Sequence, residues 1–374
     1  MQKDTAVNLL VDMLRIYSPS LQEAQIAEYL ADRMKGDLGF RNVKIGEAYN
    51  VTAEVGSGSP ITILSGHMDT VPGVQPVKVT KDAIHGRGSC DAKSALAAMI
   101  AAASDLADRS DIGTIIIAAV SDEEGNGLGT RTLIDSGIKA DYAVFGEPSG
   151  IDNITIGYKG RVGLALTCGA PSLHASSPLV SQNAIESVYE VWQVIKKYAA
   201  ERVGENPYTS VTASLTKIHG GSSHNTTPEQ CKATIDMRIP PHMSAATTAE
   251  EIGAIVARFQ ADTNFPKIKL NINDITEPFE TDKTSGLIRA IVRAILQVRQ
   301  KRPLLLRKTG TGDMNLLGHR LKIPVVTYGP GNPHLSHTRR EFIEIDEYLA
   351  SIEVYKAMLE NLSRQQQQQQ QALG

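Results

Sequence analysis

Acidic and imidazole side chains recur in this sequence at points where metal ions could be bound. The stretch ITILSGHMDTVPG (61–73) ends an apolar run with His67 and Asp69. Four later loops carry further candidates, which are Asp91, Glu123, Glu124, Glu147 and His337. Neutral imidazole and carboxylate oxygen are the ligands that zinc accepts in catalytic sites. The sequence therefore predicts a metal centre assembled from separate loops.

The number of candidate ligands exceeds what one ion needs. Two histidines and three carboxylates are too many for a single tetrahedral ion, but they suit two ions about 3.5–4 Å apart that share a carboxylate. Two cations lower the pKa of water, and an unligated carboxylate can accept its proton. The adjacent residues Glu123 and Glu124 can supply one ligand and one base. This pattern predicts metal-assisted hydrolysis.

The two histidines differ in how clearly the sequence assigns them. His67 is expected to bind metal, and Asp69 is expected to hold its ring, because a ligating histidine usually donates its other N–H to a carboxylate. The late histidine is ambiguous, since His334 lies three residues before His337 and spacing alone does not separate them. The joint pattern, rather than any single residue, supports the site.

Apolar strands and helices that alternate along the chain must position these residues. The predicted strands are 61–66, 114–121, 141–146 and 323–329, and the predicted helices are 4–16, 21–35, 94–107, 283–300 and 346–362. Near-continuous apolar strands separated by helices predict an α/β fold, with a mostly parallel sheet covered by helices on both faces. Ligands bind at the carboxyl ends of the strands in such sheets. The candidate ligands follow those ends.

The pattern changes after Gly157 and returns near Pro278. Residues 158–277 give the order β-α-β-β-α-β, which suits an inserted α+β two-layer domain with an antiparallel sheet. We therefore predict a discontinuous catalytic domain at 1–157 and 278–364. The end of the chain, 365–374, is rich in glutamine and is predicted to be disordered.

Composition excludes several classes of function. The chain has 374 residues, 41% hydrophobic and 21% charged, with a net charge of −3, which is too near neutral for general attraction to nucleic acid or membranes. Three separated cysteines imply no disulfide framework. No transmembrane stretch or signal peptide is evident, so a cytoplasmic protein is expected. The loop GRGSCDAK lacks the spacing of a dinucleotide-binding motif.

Five motifs occur in one order, namely HMDTVP, GRGxxDxK, EEGNGLG, GEP and a late histidine in GPG…H. Together they resemble the aminoacylase/carboxypeptidase family of dinuclear metallohydrolases, which includes acetylornithine deacetylase and succinyl-diaminopimelate desuccinylase. The resemblance covers residues 4 to about 362. It implies that Glu123 is the general base. The implied ligands are His67, Asp91 and Glu147 for one ion, with Asp91 bridging to a second held by Glu124 and His337. Zinc is the implied metal, and cobalt or manganese also suit these ligands.

The same resemblance implies roles for the inserted domain, which would be a lid that mediates a homodimer. His174 resembles the lid histidine that stabilises the oxyanion across the dimer. Asn225 and Arg238 resemble lid residues that contact a substrate carboxyl group. The loop KTGTGDMN (308–315), with Gly310 and Thr311, resembles a glycine-rich substrate loop in which Gly312 replaces a serine.

Within the family, GHMDTVPG, GEPSG…ITIGYKGR and TGTGDMN are most similar to hydrolases that release lysine or ornithine from the C-terminal glutamate of an acidic amino-group carrier protein. A small-molecule N-acyl amino acid deacylase is the competing interpretation. An inactive binding or scaffold homologue is disfavoured, because every expected ligand and the base are present.

The segment 283–308 contains eight lysine and arginine residues and no acid. This basic segment could steer the acidic tail of a carrier protein toward the site. A solvated helix face is the alternative explanation.

Overall fold

The computed structural model describes residues 1–176 and 183–373. Its helices are α1 Lys3–Arg15, α2 Ala24–Gly36, α3 Lys93–Asp105, α4 Leu128–Asp135, α5 Ala184–Ala200, α6 Ala245–Asp262, α7 Gly286–Arg299, α8 Asp313–Leu321 and α9 Ile345–Leu373. Its strands are β1 Arg41–Ile45, β2 Val51–Ser57, β3 Ile61–His67, β4 Lys78–Val79, β5 Ala83–His85, β6 Gly113–Val120, β7 Tyr142–Gly146, β8 Asn153–Tyr158, β9 Gly160–Gly169, β10 Thr212–Gly220, β11 Gln230–Ile239, β12 Ile268–Thr276, β13 Phe279–Glu280, β14 Leu304–Lys308, β15 Val325–Thr327 and β16 Phe342–Glu344.

These elements group into two compact units. The first unit contains Met1–Ile156, Thr281–Leu306 and the chain from Gly312 onward. The second contains Gly157–Glu280 and the short segment Arg307–Thr311. That short segment is a difference from the sequence-based division, which left it in the first domain.

A mostly parallel sheet organises the first unit. Its strand order runs β1-β2-β6-β3-β7-β15-β8. Strand β3 is parallel to both β6 and β7, with Ile63 opposite Ile116 on one side and Ala143 on the other. Strand β15 is parallel to β7 and antiparallel to β8. The predicted α/β fold with a mostly parallel sheet is confirmed.

Helix α3 lies close to this sheet because small residues face each other across the contact. Its residues from Lys93 to Ala103 are all buried. A Cβ atom added to Gly66 would lie 3.3 Å from Leu96 Cβ, and one added to Gly146 would lie 3.0 Å from Ala95 Cβ. The alanine-rich helix and the strand glycines therefore fix the start of α3, where Asp91 lies, near the ends of β3 and β7.

Helix α9 continues to Leu373 and includes the seven glutamines 365–371. The sequence predicted a disordered tail there, so the structure differs from that prediction. Glutamine has a good intrinsic helix propensity. A helix that is already formed by packed residues also avoids the cost of nucleating a new one. The glutamines therefore only have to extend a helix that already exists.

The second unit is an antiparallel sheet packed against two helices. Its elements follow the order β9-α5-β10-β11-α6-β12, and its strand order is β10-β11-β9-β12. Buried side chains of α5 and α6, including Val188 and Ile252, pack against strand residues such as Leu164 and Ile235. Side chains cap both helices, since Asn183 accepts from two N–H groups of α5 and Ser244 accepts from one of α6. The predicted β-α-β-β-α-β order is confirmed.

Some elements have no counterpart in the predictions. Strands β1 and β2 form an antiparallel pair at the edge of the main sheet, and β16, β5 and β4 form a small separate sheet. No helix among the described residues combines the length and apolar character needed to cross a membrane.

Candidate metal centre

Four neighbouring parallel strands end at one edge of the main sheet and deliver most of the candidate ligands there. In the order β6-β3-β7-β15, the residues at these ends are Glu123 and Glu124 after β6, His67 at the end of β3, Glu147 after β7 and His337 in the loop after β15. Asp91 directly precedes α3 and joins them from a separate loop. The sheet topology therefore brings together candidate ligands that lie as far apart in sequence as His67 and His337.

Asp91 lies between the two histidines and faces each with a different oxygen. Its Oδ1 is 3.3 Å from Nε2 of His67, and its Oδ2 is 3.4 Å from Nε2 of His337. The side chain is almost completely buried. The imidazoles overcome the effect of burial and hold the pKa of Asp91 below its usual range. A carboxylate with one oxygen toward each of two imidazoles has the arrangement expected of a bridging ligand.

The spacing around His67 fits a metal ion. Its Nε2 is 3.5 Å from Oε1 of Glu147 and 3.3 Å from Asp91. Ligand bonds of about 2.0–2.2 Å in a tetrahedral site place two ligand atoms about 3.3–3.6 Å apart. Within the described part of the chain, Nε2 of His67 is buried and has no hydrogen-bond partner. A fully buried nitrogen that faces two carboxylates at these distances suits a divalent cation.

His337 and Glu124 form the other half of the cluster. Nε2 of His337 lies 2.9 Å from Oε1 and 2.8 Å from Oε2 of Glu124. His337 reaches this position through a left-handed backbone conformation with φ of 63°, an uncommon conformation for a residue other than glycine. Among the described contacts, His334 has none with these carboxylates. Geometry thus favours His337 over the alternative that spacing left open.

Glu123 lies within reach of the first half of the cluster. One oxygen of Glu123, a ring nitrogen of His67 and one oxygen of Glu147 all fall within 4.8 Å of each other, as do ligand atoms of His67, Asp91 and Glu124. Burial, reinforced by repulsion from Glu147, raises the pKa of Glu123 well above its usual value. A raised carboxyl pKa is typical of groups that exchange protons near neutral pH. The role of Glu123 as base stays a prediction.

The pKa values of both imidazoles are raised by the negative charge of the cluster. Contacts with Asp91 and Glu124 raise the pKa of His337 to about 9. Burial opposes the charged form of His67, but Asp69 and Asp91 still hold its pKa well above the usual value. Nearby negative charge shifts a pKa in this direction. The same field attracts cations.

The contact between His67 and Asp69 differs in detail from the prediction. Nδ1 of His67 lies 3.0 Å from the backbone carbonyl of Asp69 and 3.5 Å from its carboxylate Oδ1. The carboxylate accepts from Ser20 Oγ at 2.7 Å and from the N–H groups of Glu123 and Glu124 at 3.1 and 3.2 Å. Asp69 therefore fixes the ring mainly through its main chain, and its side chain holds the neighbouring turn.

Three polar residues near the site were not anticipated, and two of them, Glu23 and Asp313, are buried. Asp313 at the start of α8 accepts from Thr130 Oγ1 and, because of burial, its pKa is raised to about 6. Ser20 and Glu23 contact the two turns that follow β3 and β6. Their Ser-x-x-Glu spacing directly before α2 is typical of a helix capping box. The sequence signal existed, but it indicates a helix start rather than a contact with the site.

The predicted substrate residues all lie in the second unit. Nδ1 of His174 is 2.7 Å from Ser176 Oγ, and the side chain is exposed. The segment next to His174 pairs with that of Asn225, since the Ala175 N–H donates to the Asn225 carbonyl at 2.8 Å. The two segments therefore lie side by side.

Arg238 and the glycine-rich loop also meet within the second unit. Nε of Arg238 donates to Asp236 at 2.6 Å, and its Nη1 donates to Thr311 Oγ1 at 3.1 Å. No heavy atom lies within 4 Å of a Cβ built on Gly310, among the residues that the structure covers. Asp236 thus already partly neutralises the guanidinium that was predicted to bind a carboxyl group.

Comparison with known proteins gives one family and a consistent set of relatives. The model of peptidase family M20/M25/M40 matches residues 63–361. A Pyrobaculum aerophilum protein with a provisional LysW-lysine/LysW-ornithine hydrolase name is 36% identical over 357 residues, which cover 95% of this chain and 96% of that protein. The LysW-lysine/LysW-ornithine hydrolase of Sulfurisphaera tokodaii is 32% identical over 360 residues, with 95% and 94% covered.

A solved structure shares the fold. The chain is similar to the Bacillus subtilis YXEP protein, described as a dinuclear metal-binding peptidase of the M20 family. The TM-score is 0.74 at 15% identity, and the match covers 96% of this chain and 97% of the other. The donor set described above, with two imidazoles and several carboxylates at one sheet edge, is that of a divalent metal site.

Proposed function

This chain belongs to peptidase family M20/M25/M40, and on that basis we propose that it is a metal-dependent amide hydrolase that releases lysine or ornithine from the LysW carrier protein. The observation that carries the proposal is the pair of imidazoles facing opposite oxygens of Asp91. The LysW-lysine/LysW-ornithine hydrolase name of full-length relatives at 32–36% identity supports the substrate. The names of these relatives do not favour the small-molecule deacylases considered as alternatives.

The proposed metal ligands divide the cluster into two overlapping groups. His67 and Glu147 would hold one ion, Glu124 and His337 would hold the other, and Asp91 would bridge them. Zinc is the proposed metal, since imidazole and carboxylate oxygen are its usual ligands in catalytic sites. Two bound divalent cations would polarise the amide carbonyl and lower the pKa of a bound water molecule.

The protein's own residues would then move the proton and hold the substrate. Glu123 is proposed to accept the proton of the attacking water and to pass it to the leaving amine. The raised pKa of its carboxyl group supports that role. Asp69 would keep Glu123 and Glu124 in place by accepting from both backbone N–H groups.

The second unit is proposed to supply the remaining contacts and a dimer interface. His174 is proposed to stabilise the oxyanion, and Asn225, Arg238, Gly310 and Thr311 are proposed to bind the substrate. The contact of Arg238 with Thr311 supports their action together. Light scattering of the purified protein should give twice the chain mass, and a monomer that retains full activity would contradict the dimeric lid.

A reconstitution assay tests the proposed function. The metal-free protein is loaded with zinc, cobalt or manganese and supplied with LysW-linked lysine, LysW-linked ornithine, N-acetyl-lysine or N-acetylornithine. We expect the carrier-linked substrates to have kcat/KM values at least about tenfold higher than the free N-acetyl compounds, a transition-state difference of about 1.4 kcal/mol. Preference for a free N-acetyl compound would favour the deacylase instead.

A further inference from the structure

The turn after β6 is held through three successive backbone N–H groups, each of which donates to a carboxylate. The N–H of Asp122 donates to Glu23 Oε1 at 2.9 Å. The N–H groups of Glu123 and Glu124 donate to the two oxygens of Asp69. Asp122 has a left-handed backbone with φ of 54°, an uncommon conformation outside glycine that surrounding contacts must maintain. The carboxylates of Glu23 and Asp69 therefore hold the start of the turn that carries the proposed base, and the Asp122 carboxylate accepts from the N–H groups of Asn126 and Leu128 at its end.

Glu23 is an unusual residue to find beside this turn. Its side chain is 1% exposed. In the portion of the chain that the structure covers, it forms no ion pair, and Oε1 accepts from both Asp122 and Leu21, the latter at 3.0 Å. Burial of a carboxylate without a cation is costly unless hydrogen bonds compensate for it. The two accepted N–H groups are that compensation, and both belong to connecting segments rather than to a helix.

The connection between α1 and α2 also contacts the turn after β3. Ser18 Oγ donates to the Met68 carbonyl at 2.8 Å, and the Thr70 N–H donates to the Ser18 carbonyl at 3.0 Å. Ser20 Oγ donates to Asp69 at 2.7 Å. A single connection, 16–23, thus links the turn that carries His67 to the turn that carries Glu123.

We infer that Glu23 is a positioning residue for the hydrolysis, because it accepts the Asp122 N–H and thereby fixes the directions of Glu123 and Glu124. The inference rests on the proposed function for its kinetic consequence, since the base and one ligand leave the same short turn. Displacement of a reacting group by about 1 Å can reduce a rate by about 100-fold. The inferred role requires an acceptor oxygen at hydrogen-bonding distance from the Asp122 N–H, and it does not require the charge of Glu23.

Two substitutions separate reach from charge. Glu23→Gln keeps an acceptor oxygen at the same distance from the backbone and removes the charge. Glu23→Asp keeps the charge and withdraws the carboxylate by about one C–C bond, or about 1.5 Å. We expect Glu23→Asp to lower kcat at least about tenfold with little change in KM, and Glu23→Gln to stay within about threefold of the wild type.

The amide hydrogen of Asp122 gives a readout that does not depend on turnover. Its exchange with solvent should be faster in Glu23→Asp and unchanged in Glu23→Gln, because only the first variant loses the acceptor. The matched control is Asn361→Ala in α9, which removes two other hydrogen bonds, a buried one to the Ala290 carbonyl and a partly buried one to Gln297. Exchange at the turn should not respond to that change.

The outcomes separate the two hypotheses. A wild type that cleaves no carrier-linked amide defeats the proposed function, while faster Asp122 exchange in Glu23→Asp alone still supports the positioning role. The inference is overturned if Glu23→Asp matches the wild type, if Glu23→Gln is as impaired as Glu23→Asp, or if Asn361→Ala exposes the turn equally. Should Glu23→Asp not fold, wild-type exchange and kcat in Glu23→Gln would support the inference, and their loss would overturn it.

Discussion

Asp91 shows how one carboxylate can organise a whole cluster. Its two oxygens approach different imidazoles at 3.3 and 3.4 Å, whereas most buried carboxylates satisfy both oxygens with hydrogen-bond donors. The other acids of the cluster, Glu124 and Glu147, each contact an imidazole. Glu123 differs from them, because burial and repulsion from Glu147 raise its pKa. At the scale of residues, the most informative test is therefore whether Glu123 acts as the base while Glu124 acts as a metal ligand.

Glu123→Gln should remove catalysis and retain the metals. The amide keeps the size of the side chain but cannot accept a proton, and general base catalysis typically contributes about 10²–10⁴-fold. We expect kcat to fall by that factor, with metal content unchanged by mass spectrometry. Glu124→Gln is the matched control and should lose metal, since Glu124 contacts His337. A Glu123→Gln protein with nearly the wild-type rate would refute the assignment of the base.

At the scale of elements, the turn after β6 depends on a close backbone contact. A Cβ atom on Gly129, in the first turn of α4, would lie 2.4 Å from both N and O of Ser121. Gly129→Ala should therefore push α4 away from the turn and destabilise the protein by about 1–3 kcal/mol. The midpoint of urea unfolding measures the change.

The control for this substitution is Gly36→Ala at the end of α2. Nothing lies within 4 Å of a Cβ built there, among the described residues. Its effect should stay within about 0.5 kcal/mol. Equal stabilities of the two variants would show that the contact between Gly129 and Ser121 is not constrained.

Several cations of the basic segment 283–308 already form ion pairs within the protein, which its sequence does not indicate. Nε of Arg299 and Nζ of Lys301 contact Asp152 at 3.0 and 2.9 Å, and Arg307 contacts Glu280 at 2.7 Å. Arg302 is exposed and lies in the connection between α7 and β14. Exposed charge without a local partner is the charge that can act on a binding partner.

Arg302→Glu should raise KM for LysW-linked lysine by about 3- to 10-fold and leave KM for N-acetyl-lysine unchanged, because only the carrier would sense the field. Arg293→Glu, an exposed arginine within α7, is the matched control. The effect should decrease at high salt. Equal effects on both substrates would exclude steering by this segment, and equal effects of both variants on LysW-linked lysine would exclude a particular role for Arg302 within it.

The sequence predicted elements better than contacts. The strand and helix order was predictable because continuous apolar runs and an alanine-rich helix leave few alternatives to a covered sheet. The ring contact of His67 was not predictable, since Asp69 offers a carbonyl and a carboxylate two residues away. Ser20 and Glu23 were hidden by a spacing that is typical of helix caps, and only the tertiary structure shows that they contact distant turns. The helical glutamine run was missed because composition does not reveal what precedes it.

At the scale of the whole molecule, metal should stabilise the first unit, because its ligands come from four strand ends and a separate loop. An ion present at about 1,000 times its Kd stabilises the folded state by about 4 kcal/mol. Removal with EDTA should therefore lower Tm on the order of 10 °C. His67→Ala should have a low Tm that EDTA does not change. A wild-type Tm that is insensitive to EDTA would show that metal does not bind where these ligands meet.

The position of β15 between β7 and β8 has a consequence for synthesis on the ribosome. Both neighbours are complete by residue 158, but the strand that joins them is residues 325–327. At about 5–20 residues per second, the nascent chain spends many seconds with an open gap in its main sheet and without His337. The second unit, almost entirely continuous in sequence, is finished within that interval. The main sheet therefore keeps an unfilled gap during translation, and if His337 is a ligand as proposed, its metal ion can bind only after nearly the entire polypeptide has emerged.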